Sequence, residues 1–257
     1  MMKSLSCMVT VFTLLSCAST PVQQQSMVDF KWQEDNHGGV IITGYSGTNR
    51  EITIPERING MPVTSIGEEA LSNNRLTSVT IPSSVTSIGL AAFADNQLTS
   101  VIIPNGVTSI GMQAFENNQL ASVAISGSVI SIEGGAFQKN QLTSISIPDS
   151  VTSIGISAFS DNWLTSVSIG RGVTSIEMAA FQNNRLTSVT IPDNVTSMGM
   201  MVFNGNRLTS ITIGTNVTLG RGAFGDGGPF NQAYTNTGSL KGTYTRPDGS
   251  SRDWARN

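Results

Sequence analysis

The chain predicts a mainly β solenoid of 22-residue repeats, about eight coils long, with β-hairpin caps at both ends. Three observations predict it. Leu76, Leu98, Leu120, Leu142, Leu164, Leu186 and Leu208 recur every 22 residues without drift (98 − 76, 120 − 98 and so on). An unbroken period of that size marks stacked supersecondary units. Within each unit the spacing Leu-x-x-Val-x-Ile fits a short strand and no helix of 3.6-residue period. One such unit also orders more backbone than its few apolar side chains offset, so it is stable only with neighbours on both sides.

From the N-terminus, residues 1–16 read as a secretory signal: Lys3 precedes an apolar stretch, Leu5 to Leu15, that is too short to cross a bilayer. Leu14-Leu15-Ser16-Cys17 resembles a bacterial lipobox, which implies cleavage before Cys17 and acylation of its thiol. Ordinary secretion, with Cys17 inside the signal, is the alternative. Cys7 and Cys17 are the chain's only cysteines, so signal removal leaves no pair for a disulfide. Residues 17–27, with Gln23-Gln24-Gln25, read as a lipidated tether of low apolar content.

Residues 28–48 form the expected N-terminal β cap, in which Val28–Trp32 and Val40–Thr43 flank the turn-like Asn36-His37-Gly38-Gly39. Residues 49–229 form the solenoid. Residues 230–257 form the C-terminal cap, with Gly242–Arg246 and Arg252–Trp254 around Pro247-Asp248-Gly249-Ser250. Trp32, Tyr244 and Trp254 read as apolar lids over the end layers.

Each coil divides into two strands and two corners. Val79 and Ile81 alternate along the main strand, and Pro82, Pro104, Pro148 and Pro192 end it, because proline offers no N–H to a ladder. Val85-Thr86-Ser87-Ile88 is a second, shorter strand that alternates weakly. Gly89, Gly111, Gly155 and Gly199 then lead into an Ala-Phe corner, whose Phe93, Phe115, Phe137, Phe159, Phe181, Phe203 and Phe224 are expected to stack as one buried column. Asn74, Asn96, Asn118, Asn140, Asn162, Asn184 and Asn206 read as a ladder that satisfies corner backbone. Leu90, Met112, Ile156, Met178 and Met200 read as core packing in preference to a Met-rich surface.

Leu-Thr-Ser-Val-Thr-Ile-Pro at Leu76–Pro82, followed by Val-Thr-Ser-Ile-Gly-x-x-Ala-Phe at Val85–Phe93, resembles the BspA-like or Treponema pallidum-type leucine-rich repeat. The resemblance runs from about Ile52 to Phe224. Val63–Leu71 is a divergent first copy with extra residues at Glu56–Pro62, and Val217–Phe224 is one residue shorter than Val195–Phe203. The resemblance implies a curved solenoid displayed at the bacterial surface, where such proteins are associated with adhesion to host matrix proteins and to other bacteria. It carries over no binding residue.

Chemistry is sparse. His37 is the only histidine, 12% of residues are charged and the net charge is −3. That balance argues against nucleic-acid binding and against electrostatic membrane binding, leaving the lipid as the membrane contact. Asp226-Gly227-Gly228 supplies a single carboxylate, too few for a calcium site. The reading is therefore of no enzyme, cofactor or metal, and of a secreted outer-membrane or cell-surface lipoprotein that binds protein partners.

On the main strand the residues between the buried Val and Ile face outward, among them Ser144, Ser146, Ser166 and Ser168. The row beside that face reads Arg75, Gln97, Gln119, Gln141, Trp163, Arg185 and Arg207, so Gln141, Trp163 and Arg185 form the candidate contact. Trp163 either anchors a partner or covers a gap in the solenoid side. A structural, self-assembling surface protein and an ice- or crystal-binding hydroxyl lattice are the competing functions. Ile102, Ala121 and Ala124 interrupt the lattice.

Overall fold

The computed structural model describes residues 29–225, 229–249 and 251–257, so the signal, the tether, Cys17 and Asp226-Gly227-Gly228 lie outside it. The described chain is a right-through stack of 22-residue coils. The two-residue strands Ser87–Ile88, Ser109–Ile110, Ser131–Ile132, Ser153–Ile154, Ser175–Ile176 and Ser197–Met198 pair in parallel, each residue above its equivalent. With Phe30–Glu34, Val40–Tyr45, Arg57–Ile58 and Met61–Ile66 before them and Thr218–Leu219 after, they make one 11-stranded sheet.

The main strands behave differently. They pair two by two: Glu51–Thr53 with Ser78–Thr80, Ser100–Ile103 with Ser122–Ile125, Ser144–Ser146 with Ser166–Ser168, and Ser188–Thr190 with Ser210–Ile213. The sequence pattern predicts the reverse, with the main strand as the dependable one. Proline contributes to the difference. In the short strand, Thr108 N–H donates to the Thr86 carbonyl at 3.2 Å and Gly111 N–H to the Ile88 carbonyl at 2.9 Å, and the coils that follow repeat both bonds. On the main face Pro104, Pro148 and Pro192 have no N–H to give, which removes a rung where each of those strands ends.

The Ala-Phe corner depends on left-handed backbone. Ala91, Gln113, Ser157, Ala179 and Met201 hold φ between 49° and 59°, and Gln113 N–H reaches the Gly134 carbonyl of the next coil at 2.8 Å. A residue outside glycine resists this region, so the inter-coil bond is what holds each corner in it.

Inside, the phenylalanines from Phe93 to Phe224 form the expected column. Successive ring centroids lie 5.0 to 5.5 Å apart with planes 2° to 11° from parallel. These separations exceed the strand spacing of about 4.8 Å, so the rings are offset, as their quadrupoles favour. Leu71, fully buried, heads the column where the divergent first copy lacks a phenylalanine.

At the N-terminal end Phe30–Glu34 and Val40–Tyr45 form an antiparallel hairpin, and Val40–Ile42 continues in parallel onto Val63–Ile66. Trp32 is partly buried against the core. The extra residues Glu56–Pro62 make a second small hairpin, in which Asn59 and Gly60 both take positive φ, the requirement of a type I′ turn.

The C-terminal end departs from expectation in its first element: Pro229–Asn236 is an α-helix, where the sequence reading placed only a hairpin. Pro229 suits a first helical position, and Phe230 and Tyr234, four residues apart, share its buried side. Phe230 tilts 56° against Phe224 at 4.5 Å and closes the column. The hairpin follows, with Gly242–Thr245 antiparallel both to Ser210–Ile213 and to Ala255–Arg256, which lies just beyond the expected second strand. Tyr244 is fully buried, and Trp254 meets Phe230 edge-on at 5.2 Å.

Candidate binding surface

The asparagine row is structural. Asn118 Oδ1 accepts the Leu98 N–H at 3.0 Å while its Nδ2 donates to the Phe93 and Phe115 carbonyls at 2.9 and 3.3 Å. Asn140, Asn162 and Asn184 repeat this pattern one coil at a time, all of them buried. Their amides are consumed and face no ligand. His37 is exposed in the N-terminal turn, where its N–H donates to Asp35 at 2.7 Å. Among the described residues no group of three or more His, Cys, Asp or Glu could hold a metal ion.

The row beside the main strand face does come together. Gln141, Trp163 and Arg185 N–H donate to the Leu120, Leu142 and Leu164 carbonyls at 3.0, 3.0 and 2.9 Å, which places the three side chains on consecutive coils. Trp163 is 43% exposed, and the Arg185 guanidinium carbon lies 5.0 Å from its ring centroid. Gln141 is half-buried beside them. Arg207 extends the row, and Trp163, Arg185 and Arg207 with Asp161 and Asn183 line a shallow depression of about 460 Å³. Ser144 and Ser146 pair in register with Ser166 and Ser168 on the same two coils, and all four are exposed. Ile102, 72% exposed, interrupts this hydroxyl face two coils before Ser146.

The corner stripe corrects the sequence reading. Leu90, Met112, Ile156 and Met200 are 36%, 50%, 50% and 45% exposed and so are not core packing, while Met178 is half-buried. The residue lies just beyond the buried Ile and just before the left-handed corner, where the backbone turns and the side chain stands off the coil. In the coil from Leu120 to Gln141 this position is Gly134, so the stripe has a notch between Met112 and Ile156. The residue before it is Glu133, and Glu177 takes the same place two coils on, where Gly89, Gly111, Gly155 and Gly199 stand in others. Met112, Glu133, Gly134, Gly155, Ile156 and Glu177 line a groove of about 640 Å³. Nothing in the consensus marked it; the signal lay in Glu133-Gly134 as a departure from Gly followed by an apolar residue.

Residues 64–187 and 131–232 match the family model described as BspA type leucine rich repeat region. Among solved structures the chain is similar to a leucine rich cell surface protein of Faecalibacterium prausnitzii, with 29% identity over 74% of this chain and 54% of that one and a TM-score of 0.62. It is also similar in fold to the pneumococcal vaccine antigen PcpA, 20% identical over 73% of this chain and 48% of that one, TM-score 0.52. The chain thus spans about half the length of these two proteins. No curated protein matches it. With the repeat, the register and the family match in agreement over well over half of its length, the chain belongs to the BspA-type leucine-rich repeat family.

Proposed function

We propose that the chain is a non-enzymatic protein-binding scaffold displayed at the bacterial surface, with its contact centred on Trp163 and Arg185. Gln141 flanks that centre, and Ser144, Ser146, Ser166 and Ser168 supply hydrogen-bonding groups on the adjoining strand face. The observation that carries the reading is the open Trp163 ring held under Arg185 at 5.0 Å. A cation–π contact at an exposed site contributes about 0.5–1 kcal/mol. It orders two side chains of the types most enriched in hot spots before any partner arrives. The leucine rich relative described as a cell surface protein supports the location.

In this reading Cys17 carries the lipid, residues 17–27 are the tether, and the caps at 28–48 and 230–257 close the solenoid at 49–229. The partners are proteins of the host extracellular matrix or of another bacterial surface. Mass spectrometry of the purified protein is expected to find an acylated N-terminal Cys17; an unmodified Cys17 removes the anchor. The contact is tested with Trp163→Gln, which installs what Gln97, Gln119 and Gln141 already are in their own coils. Affinity for a partner captured by the full chain should fall by about 2 kcal/mol with the melting temperature unchanged. Unchanged affinity refutes the contact.

A further inference from the structure

The notch in the corner stripe lies on a different corner from Trp163, and its two glycines have different causes. A Cβ on Gly155 would sit 2.6 Å from the Glu133 carbonyl carbon, so the backbone as it stands in this coil leaves no room for a side chain there, although Glu133 and Glu177 carry one in the coils on either side. A Cβ on Gly134 would meet nothing nearer than the Ile156 carbonyl oxygen at 3.3 Å, and its φ is not positive. Met112 and Met178 fill the same place in other coils. The fold therefore tolerates a side chain at Gly134, and its absence opens a slot with Met112 and Ile156, each 50% exposed, as walls.

The slot is also charged on one side. Ile132, Ile154 and Ile176 pair in register, so Glu133, Gly155 and Glu177 follow one another across the sheet. Glu133 and Glu177 have Cα positions about 9.5 Å apart by strand spacing, with only the bare Gly155 backbone between them. Both are exposed, and Glu133 accepts the Ser109 hydroxyl at 3.1 Å. No cation lines the groove. The nearby Lys139 is already paired with Glu116 at 2.9 Å.

We propose that this groove is a second docking site, which takes an extended segment of a protein partner carrying an apolar side chain next to an arginine or lysine. The apolar side chain fills the Gly134 notch between Met112 and Ile156. The aliphatic stem of the basic residue crosses Gly155, and its cationic head lies between Glu133 and Glu177. The charge complementarity selects this occupant over an acidic or purely apolar one, because an anion there would meet two uncompensated carboxylates.

The test uses the full chain and an array of capped hexapeptides of Gly and Ser that carry one Leu followed by Arg, Lys, Gln or Glu. Leu-Arg and Leu-Lys peptides are expected to be retained above Leu-Gln, with Leu-Glu lowest, and the preference should fade as salt rises. Glu133→Gln with Glu177→Gln should cut the Arg preference about fivefold, the scale of two exposed ion pairs. Gly134→Met should lower retention of every peptide, while Trp163→Gln changes nothing, which separates this site from the proposed contact. Equal retention of Leu-Arg and Leu-Glu overturns the proposal. So does a Gly134→Met protein that folds yet binds as before, or a concentration-dependent dimer abolished by Gly134→Met, which would put a second copy in the groove. Should Gly134→Met fail to fold, the two Gln substitutions at exposed positions carry the test alone.

Discussion

Removing the Asn140 carboxamide tests the corner ladder where it is well enclosed. Asn140 is 5% exposed; its Oδ1 accepts the Leu120 N–H at 3.0 Å, and its Nδ2 donates to the Phe115 carbonyl at 2.9 Å and the Phe137 carbonyl at 3.2 Å. In Asn140→Ala the Leu120 N–H has no other acceptor within the corner, and a buried orphan of this kind costs about 1–3 kcal/mol. Loss of the Nδ2 bonds adds about 1 kcal/mol more, for an expected total of about 2–4 kcal/mol. Asn206 makes the equivalent bonds to Leu186, Phe181 and Phe203 but is only half-buried at the last full coil. Asn206→Ala should therefore cost about half as much, since water can reach the freed groups. Urea unfolding followed by circular dichroism reads both values from the midpoint and slope. If Asn140→Ala lies within about 0.5 kcal/mol of the parent, or if the two variants cost the same, the ladder is not what satisfies the corners.

Phe159 stacks at 5.4 Å on both Phe137 and Phe181, so Phe159→Ala should open a hole in mid-column and cost about 3–5 kcal/mol. Phe159→Leu should cost about 1.5 kcal/mol, because leucine already serves at the column head as Leu71; thermal unfolding of the pair separates a packed column from a loose one. Asp35 offers a pH prediction. The Gly39 N–H, the Thr64 hydroxyl and the His37 N–H all donate to its carboxylate and hold its pKa below the ordinary 3.8. A depressed folded value means that the contribution is complete above the unfolded value and is lost as pH falls through the folded one. Exchange of the Gly39 amide should therefore accelerate only below about pH 3.8, and an Asp35→Asn variant that showed the same acceleration would exclude Asp35 as its source.

How much of this was legible in the sequence follows from what a repeat repeats. The Phe column and the outward Ser144, Ser146, Ser166 and Ser168 were readable, because hydrophobic spacing reports burial directly and every coil restates it. The unequal roles of the two strands were not. Burial is similar on both faces, and the difference lies in backbone donors, which the positions of Pro104, Pro148 and Pro192 affect only through their neighbours in space. The helix Pro229–Asn236 was missed because eight residues hold barely two turns and its only apolar side chains on the buried side are Phe230 and Tyr234.

The groove was hidden for a deeper reason. Reading a repeat means averaging over its copies, and the average here returns Gly followed by an apolar residue, which erases Glu133-Gly134. The average is nonetheless what distinguishes fold from site. A residue shared by every coil can be required by stacking, as the fully buried leucines from Leu76 to Leu208 are. A departure that stacking tolerates but does not require, as at Gly134, has no such cause in the fold. In a solenoid whose interior is fixed by seven near-identical units, selection for a particular partner has room to act at such departures, and Trp163 next to Gln141 is another instance.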